Sequence, residues 1–187
     1  MKHQANKIVI LFFAAAFSAC NKKTTPKPVE QELITTVKLL VTDSTGFART
    51  FIYKVENGIG STTTGTIQID TVTLVPTKTY YVTAELYNEK TTPAENITEE
   101  VLDEKNAHLF LYQSVPASGA GSIIFSNGSK DGNNLPFNQT ITFLSGNAGT
   151  GSLQVNLIHE PTNKNGVTPD LSGGETDAQA IYPVRIQ

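Results

Sequence analysis

Two histidines and three acidic residues in the second half of the chain could together bind a metal ion. His108 and His159 are the histidines beyond the N-terminal segment, and Glu160, Glu175 and Asp177 follow His159 closely in the sequence. Two imidazoles and a carboxylate suit Zn²⁺, which takes nitrogen and oxygen ligands and often keeps an open fourth position. Their spacing matches no recognised metal motif, so the fold would have to bring these ligands together.

A structural role for both histidines is the simpler interpretation. His159 shares the alternation of Val155 and Leu157 and so ends an apolar strand face, while His108 shares the alternation of Phe110. A hydrogen-bonded histidine at a strand end would explain both positions. The sequence therefore favours a protein without a cofactor and keeps zinc binding as the alternative.

The other chemical motifs that could indicate an enzyme fail on spacing or context. The glycine-rich segment 146–151 lies between two predicted strands and opens no helix, so it cannot cradle a phosphate. Segment 130–134 lacks the carboxylate spacing of a calcium loop, and no G-x-S-x-G elbow is present. Paired carboxylates could hydrolyse a glycan only if the fold places them about 5–10 Å apart. We therefore expect no catalytic activity.

The segment from Leu74 through Pro76 to Tyr80 resembles the tyrosine corner of fibronectin type III domains. The resemblance implies that Leu74 packs in the core, that Pro76 turns the chain and that the Tyr80 hydroxyl bonds to nearby backbone, within 74–77. It implies stability and no activity. Tyr80, Tyr81 and Tyr87 could instead form a sugar-stacking face, but the role of Tyr80 in the corner weakens that hypothesis.

The N-terminal 20 residues have the layout of a secretory signal. Lys2 and Lys7 precede an apolar run over 8–17, which is too short to span a membrane, and Cys20 follows two small residues. The cysteine at the cut point makes the segment resemble a bacterial lipoprotein signal. This resemblance implies that residues 1–19 are removed and that Cys20 carries lipid.

The resemblance also gives an expected location. A lipid on Cys20 would hold the protein in the outer membrane. Surface-exported lipoproteins carry acidic residues just after the cysteine, whereas residues 21–23 are Asn-Lys-Lys. We therefore expect a domain that faces the periplasm, with the cell surface as the alternative.

Composition excludes several further classes. Removal of residues 1–19 leaves 168 residues with 12 basic and 17 acidic side chains, a net charge of −5. An acidic chain of this kind argues against a nucleic-acid partner. Cys20 is the only cysteine, so its acylation would leave no thiol for a disulfide, a metal or nucleophilic catalysis.

The chain from residue 32 onward has the texture of a β protein. Residues 20–31 are polar and proline-containing, which predicts a tether. Beyond it, alternating apolar residues separated by turn signals predict a single immunoglobulin- or fibronectin III-like β-sandwich over 32–187. The predicted strands, about nine in number, are 33–41, 51–55, 67–69, 80–86, 108–112, 121–126, 139–144, 152–158 and 181–186.

Three features stand out from this pattern. Residues 93–104 predict a short acidic helix with Thr92 as N-cap and Pro93 at its first position. Residues 161–180 show almost no strand pattern, and a loop of that length is usually functional or disordered. Pro183 suggests that the last strand lies at a sheet edge.

A second resemblance covers most of the chain. Segments 97–101, 108–112, 157–161 and 173–177 are similar to those of small, uncharacterised Bacteroidota lipoproteins. Some of these proteins carry a type 1 periplasmic-binding-fold label, although alternating strands and helices are not evident here. The resemblance implies the location and the fold, and it supplies no activity. The absence of catalytic motifs and the predicted sandwich favour a membrane-anchored, non-catalytic module that contacts an envelope protein or a glycan. A metal-binding lipoprotein and a glycan-hydrolysing module are the alternatives.

Overall fold

The computed structural model describes residues 32–187. Cys20, the predicted signal over 1–19 and the predicted tether over 20–31 lie outside the described residues. Gln31–Gln187 forms one compact unit. Within residues 32–187, no helix has the length and apolar character needed to cross a membrane.

The described chain is mostly β, as predicted. It contains eleven strands rather than about nine, because two strands of two or three residues, Val72–Leu74 and Glu95–Asn96, are too short for alternation to reveal them. The strands are β1 (Thr36–Thr42), β2 (Ala48–Val55), β3 (Ile67–Ile69), β4 (Val72–Leu74), β5 (Thr79–Asn88), β6 (Glu95–Asn96), β7 (His108–Val115), β8 (Ile123–Ser126), β9 (Thr140–Ser145), β10 (Gly149–His159) and β11 (Glu175–Ile186). Two helices, α1 (Ile97–Asp103) and α2 (Pro169–Ser172), complete the elements.

The strands form two sheets. The seven-stranded sheet has the order β3-β2-β1-β5-β9-β8, with β6 paired to β5. The four-stranded sheet has the order β4-β11-β10-β7. Neighbouring strands are antiparallel except for β4 and β11, which run parallel.

Aromatic side chains join the two sheets across one shared core. The Tyr182 hydroxyl of β11 donates a 2.8 Å hydrogen bond to the Val37 carbonyl of β1. The Tyr182 ring also meets the edge of Tyr53, with centroids 5.8 Å apart. Tyr112 of β7 packs on Phe143 of β9 at 5.6 Å. Because buried residues of both sheets belong to one cluster, the inward faces predicted from alternation form the core.

The acidic helix exists, but the prediction of its start was wrong. Residues Glu95 and Asn96 pair with β5 as strand β6, so their backbone is already used by the sheet. Helix α1 therefore begins at Ile97, and Asn96 caps it by accepting a hydrogen bond from the Thr98 amide. The Asn96 side chain also donates to Glu99, three residues further on. Thr92 and Pro93 precede the helix and do not cap it.

The prediction for 161–180 was also wrong at its C-terminal end. Strand β11 begins at Glu175 and runs for 12 residues, six of them before the predicted start. Its first half lacks large apolar residues, since Ala178 and Ala180 fill the inward positions. The last strand is not the sheet edge that Pro183 suggested, because β11 lies between β4 and β10. Strand β4 pairs only with the last three residues of β11, however, so Pro183 has no partner in β4.

The remaining loop, 161–174, is fixed to its neighbours. The Lys164 ammonium is buried and donates to the Asp131 carboxylate and to the Lys105 carbonyl, both at 2.7 Å. Helix α2 in the same loop is capped by Thr168. These contacts tie the loop to the turn-rich segment 127–135 and to the end of α1.

The contacts expected of the tyrosine corner are present. Leu74 and Tyr80 are fully buried, and the Tyr80 hydroxyl accepts a 2.8 Å hydrogen bond from the Val75 amide. Pro76 lies in the turn between β4 and β5. The resemblance to fibronectin type III domains stays a prediction, since the contact by itself is only a means of fixing this turn.

Candidate metal centre

Three strands of the four-stranded sheet bring His108, His159 and Asp177 together. His108 is the first residue of β7 and His159 the last of β10, and the antiparallel register places them directly opposite each other. Asp177 lies near the start of β11, which pairs with β10 on its other side. One potential ligand atom from each of the three side chains lies within 4.8 Å of the other two. The fold thus brings together three potential metal ligands whose spacing in the sequence matches no known metal motif.

A β-bulge places Asp177 in this cluster. Leu157 pairs with Ala178, but the next residue, Ile158, pairs with Thr176. Asp177 is therefore the extra residue of β11. Strict alternation with the buried Ala178 would turn Asp177 to the opposite face. A bulge re-aims a side chain in this way and is common beside functional sites.

The two imidazoles lie face to face. Their ring centroids are 4.8 Å apart and their planes differ by 12°. Directly opposed residues of an antiparallel pair have Cβ atoms about 4.5–5.5 Å apart, so the stacking follows from the strand register. His108 is only 3% exposed, whereas His159 is half-buried. His159 is accordingly the more accessible of the two rings.

The protonation of His108 is set by its neighbour. Its Nδ1 lies 3.2 Å from the Glu104 carbonyl oxygen, which can only accept, so Nδ1 carries the proton in this contact. Burial lowers the pKa of His108 below its usual value. At neutral pH the ring is therefore neutral, and Nε2 presents a lone pair. Metal-binding histidines are commonly oriented by such a bond from the second nitrogen to a backbone carbonyl.

His108 and Asp177 are close but do not form an ion pair. Their Nε2 and Oδ2 atoms are 3.8 Å apart, which is too long for a hydrogen bond. Burial raises the pKa of Asp177 while it lowers that of His108, so neither shift favours the charged pair. Because Nε2 carries no proton, two electron-pair donors face each other. A cation between them would satisfy both.

Further carboxylates make this end of the molecule acidic. Burial raises the pKa of Glu32 to about 7, with further contributions from the charge of Glu100, a hydrogen bond to it, and the charges of Glu104 and Asp177. Glu100 lies in the first turn of α1, and Glu104 is the C-cap of the helix. Like charges held together raise carboxyl pKa values, and a bound cation would relieve that repulsion. Lys164 is the basic group whose charge acts on His108.

The cluster is close to, but wider than, a formed coordination shell. Zinc–nitrogen and zinc–oxygen distances near 2.1 Å place two ligands of one tetrahedral ion about 3.4 Å apart. The 4.8 Å limit of the cluster therefore has to shrink by roughly 1.4 Å. A rotation of the more exposed His159 out of the stack would bring the ligand atoms closer together. Three protein ligands would leave the fourth position open.

Glu160 and Glu175 do not contribute ligand atoms to this cluster. Glu175 pairs with His159 across β10 and β11, but its side chain is exposed. Glu160 is exposed and has a positive φ of 47°, just after the strand end. Of the three acidic residues predicted as ligands, only Asp177 is in place. Glu32 and Glu100 were not predicted, because no local motif links residues so far apart in sequence.

No family model, curated protein or solved structure matches this chain. The resemblances to lipoproteins and to fibronectin type III domains accordingly stay predictions. The chemistry of the cluster is therefore the basis for a functional assignment.

Proposed function

We propose that this protein is a lipid-anchored, non-catalytic envelope module that binds a divalent transition metal at His108, His159 and Asp177. The observation that carries the proposal is that the unprotonated His108 Nε2 faces the Asp177 carboxylate oxygen at 3.8 Å, with no hydrogen bond between them. The opposing imidazole of His159 supplies a third ligand. Imidazole and carboxylate together suit Zn²⁺ best among abundant ions, and they also accept Cu²⁺, Ni²⁺ and Fe²⁺.

The two-sheet arrangement supports the finer proposal of an immunoglobulin- or fibronectin III-like β-sandwich. One core lies between the sheets, and aromatic residues of both sheets fill it. In this proposal the sandwich is a rigid carrier that holds the metal at one end of its four-stranded sheet. Such a frame determines no activity by itself, which is why the assignment rests on the side chains.

The direct test is a zinc titration of residues 21–187, which include the compact unit Gln31–Gln187. Calorimetry should show one site per chain. Changing His108 or His159 to Ala, or Asp177 to Asn, should each weaken binding by at least about tenfold, since even residues that only support a metal ligand cost that much. Titrations with Cu²⁺, Ni²⁺ and Fe²⁺ would then rank the metals.

The matched control is Glu175→Gln. Glu175 neighbours His159 and carries the same type of charge, but it contributes no ligand atom. Zinc affinity should therefore change little in this variant. Equal affinities in the parent and in all three ligand variants would refute the proposed site, and so would the absence of any binding.

The lipid anchor is tested separately. Cys20→Ala should prevent acylation and release the protein from membranes. Unchanged membrane retention would contradict the anchor. Protease treatment of intact cells distinguishes the two faces of the outer membrane, because only a surface domain is cut without permeabilisation.

A further inference from the structure

A second region with binding chemistry lies on the outward face of the seven-stranded sheet. Tyr80 and Val82 of β5 are buried in the core, so alternation turns Tyr81 and Thr83 outward. Tyr81 is 57% exposed. A tyrosine with one free ring face is a large contact surface that loses little conformational freedom on binding.

Small uncharged side chains surround this ring. In the strand register, Tyr81 lies between Thr42 of β1 and Thr142 of β9. The next row places Thr83 between Leu40 and Thr140. Adjacent strands are about 4.8 Å apart, so hydroxyl groups flank the tyrosine at hydrogen-bonding range of a ligand on the ring. We call this set the Tyr81 surface: Leu40, Thr42, Tyr81, Thr83, Thr140 and Thr142.

The Tyr81 surface forms a shallow depression of about 370 Å³. The described residues that line it are all uncharged, and Asn127 adds an amide at its border. Ligand sites commonly combine an apolar or aromatic floor with a few polar groups that fix orientation, in volumes of roughly 300–1,000 Å³. This depression has that composition, at the small end of the range.

Tyr87, the other tyrosine on the outward face of β5, already has partners within the protein. The Lys38 ammonium lies 4.0 Å from the centroid of the Tyr87 ring, and the Tyr87 hydroxyl donates to Glu85 at 2.9 Å. Both the face and the hydroxyl of Tyr87 thus have partners. Among residues 32–187, Tyr81 has neither kind of contact, so its ring face is open to a ligand.

We propose that the Tyr81 surface binds a neutral oligosaccharide. The apolar face of a sugar ring would stack on Tyr81, and its hydroxyls would bond to the flanking threonines. Thr42 already donates to the Tyr81 carbonyl at 3.3 Å, so it offers a ligand an acceptor. A neutral, hydroxyl-rich ligand fits because an uncharged lining gives an ionic ligand nothing to replace its hydration.

The test is amide chemical-shift mapping of ¹⁵N-labelled residues 21–187 with maltohexaose, cellohexaose and N-acetylchitohexaose. An oligogalacturonate is the acidic probe. Shifts with at least one neutral probe should concentrate on β1, β5 and β9. Tyr81→Ala should weaken that binding by roughly tenfold, whereas Tyr81→Phe keeps the ring and should bind as the parent does. Ile181→Ala removes an exposed side chain from the other sheet and is the matched control.

Four results would overturn this proposal. They are the absence of binding by all three neutral probes at millimolar concentration, unchanged affinity in Tyr81→Ala, and binding of the acidic probe alone. The fourth is a shift of the same amides on simple dilution, which would make the Tyr81 surface a contact between two copies of the chain. His108→Ala should leave glycan binding unchanged, so failure of the metal site and failure of this surface are separable.

Discussion

Two polar clusters in this molecule differ in whether their groups have partners. In the tyrosine corner, the Tyr80 hydroxyl accepts from the Val75 amide at 2.8 Å. Ser145 donates to the Val75 carbonyl at 2.6 Å and accepts from the Lys78 amide at 2.9 Å. In the cluster of His108, His159 and Asp177, the unprotonated His108 Nε2 faces the Asp177 carboxylate without a hydrogen bond.

The difference separates architecture from function. Buried polar groups in folded proteins are normally hydrogen-bonded, and a fully satisfied cluster needs nothing further to explain it. A cluster that keeps like charges and unshared electron pairs together destabilises the fold unless a ligand relieves it. Perturbed pKa values at such positions are therefore evidence for a site. The corner stabilises a turn, and the histidine end is the candidate site for an ion.

Zinc should have the largest effect on stability, because it would give the His108 and Asp177 side chains the partner that they lack. At free zinc 100-fold above its dissociation constant, the free energy of unfolding should rise by about 2.7 kcal/mol. The measurement is chemical unfolding of residues 21–187 with zinc and with chelator. His108→Ala should abolish the difference between the two curves while Tyr81→Phe preserves it.

The zinc effect should also depend on pH. Metal binding needs neutral imidazoles, so protons compete with zinc below about pH 6. The burial that lowers the pKa of His108 delays this competition at that ring. A stabilisation by zinc that persists unchanged at pH 4 would contradict coordination by histidine.

Tyr80→Phe probes the partnered cluster. The variant keeps the buried ring but leaves the Val75 amide without its acceptor, which should cost ~1–3 kcal/mol. Urea unfolding of Tyr80→Phe and of Tyr81→Phe gives the comparison. Tyr81 is exposed, so its variant should stay within about 0.5 kcal/mol of the parent. Equal stabilities of the two variants would mean that the corner bond contributes nothing.

Local sequence signals predicted the buried Tyr80 contact and only part of the proposed metal site. Tyr80 and Leu74 lie six residues apart on one turn, so a short pattern contains the whole contact. The metal centre depends on the register of β7, β10 and β11, and on a bulge that reverses the face of Asp177. An alternating pattern assigns faces on the assumption of regular pairing, so it cannot predict a bulge or the face of the residues beyond it. Glu175 was predicted as a ligand from its closeness to Asp177 in the sequence, but its side chain is exposed and contributes no ligand atom.

The carboxylates around α1 were missed for a different reason. Glu32 is hydrogen-bonded to Glu100 and affected by the charge of Glu104, and both residues lie far from Glu32 in the sequence. Such contacts between distant acidic residues leave no periodic trace in a sequence. The helix itself was predicted from a local start signal, Thr92 and Pro93, but the pairing of Glu95 and Asn96 with β5 moves its start to Ile97.

The smallest expected effect comes from two carboxylates with opposite surroundings. In metal-free protein the pKa of Glu32 is raised from 4.5 to about 7, by burial first and then by Glu100. The pKa of Glu89 is lowered, first by its hydrogen bond from Lys54. The folded state thus holds a proton on Glu32 that the unfolded chain releases, so unfolding free energy contributed by Glu32 falls as pH rises from about 4.5 to 7. The contribution of Glu89 has the opposite sign and is lost as pH falls below its unfolded value.

These signs predict opposite outcomes for matched substitutions. Glu32→Gln removes a charge that has acidic neighbours while keeping a hydrogen-bond donor, so it should stabilise the chelated protein at pH 8 and flatten its stability profile between pH 4.5 and 7. Glu89→Gln removes the partner of Lys54 and Lys38, so it should destabilise the protein at pH 7 and have little effect at pH 3. Urea unfolding across this pH range measures both. Parallel profiles for the two variants would show that the carboxylates at the metal end repel each other no more than an ordinary surface pair, and the unpartnered character of that end would then rest on His108 and Asp177 alone.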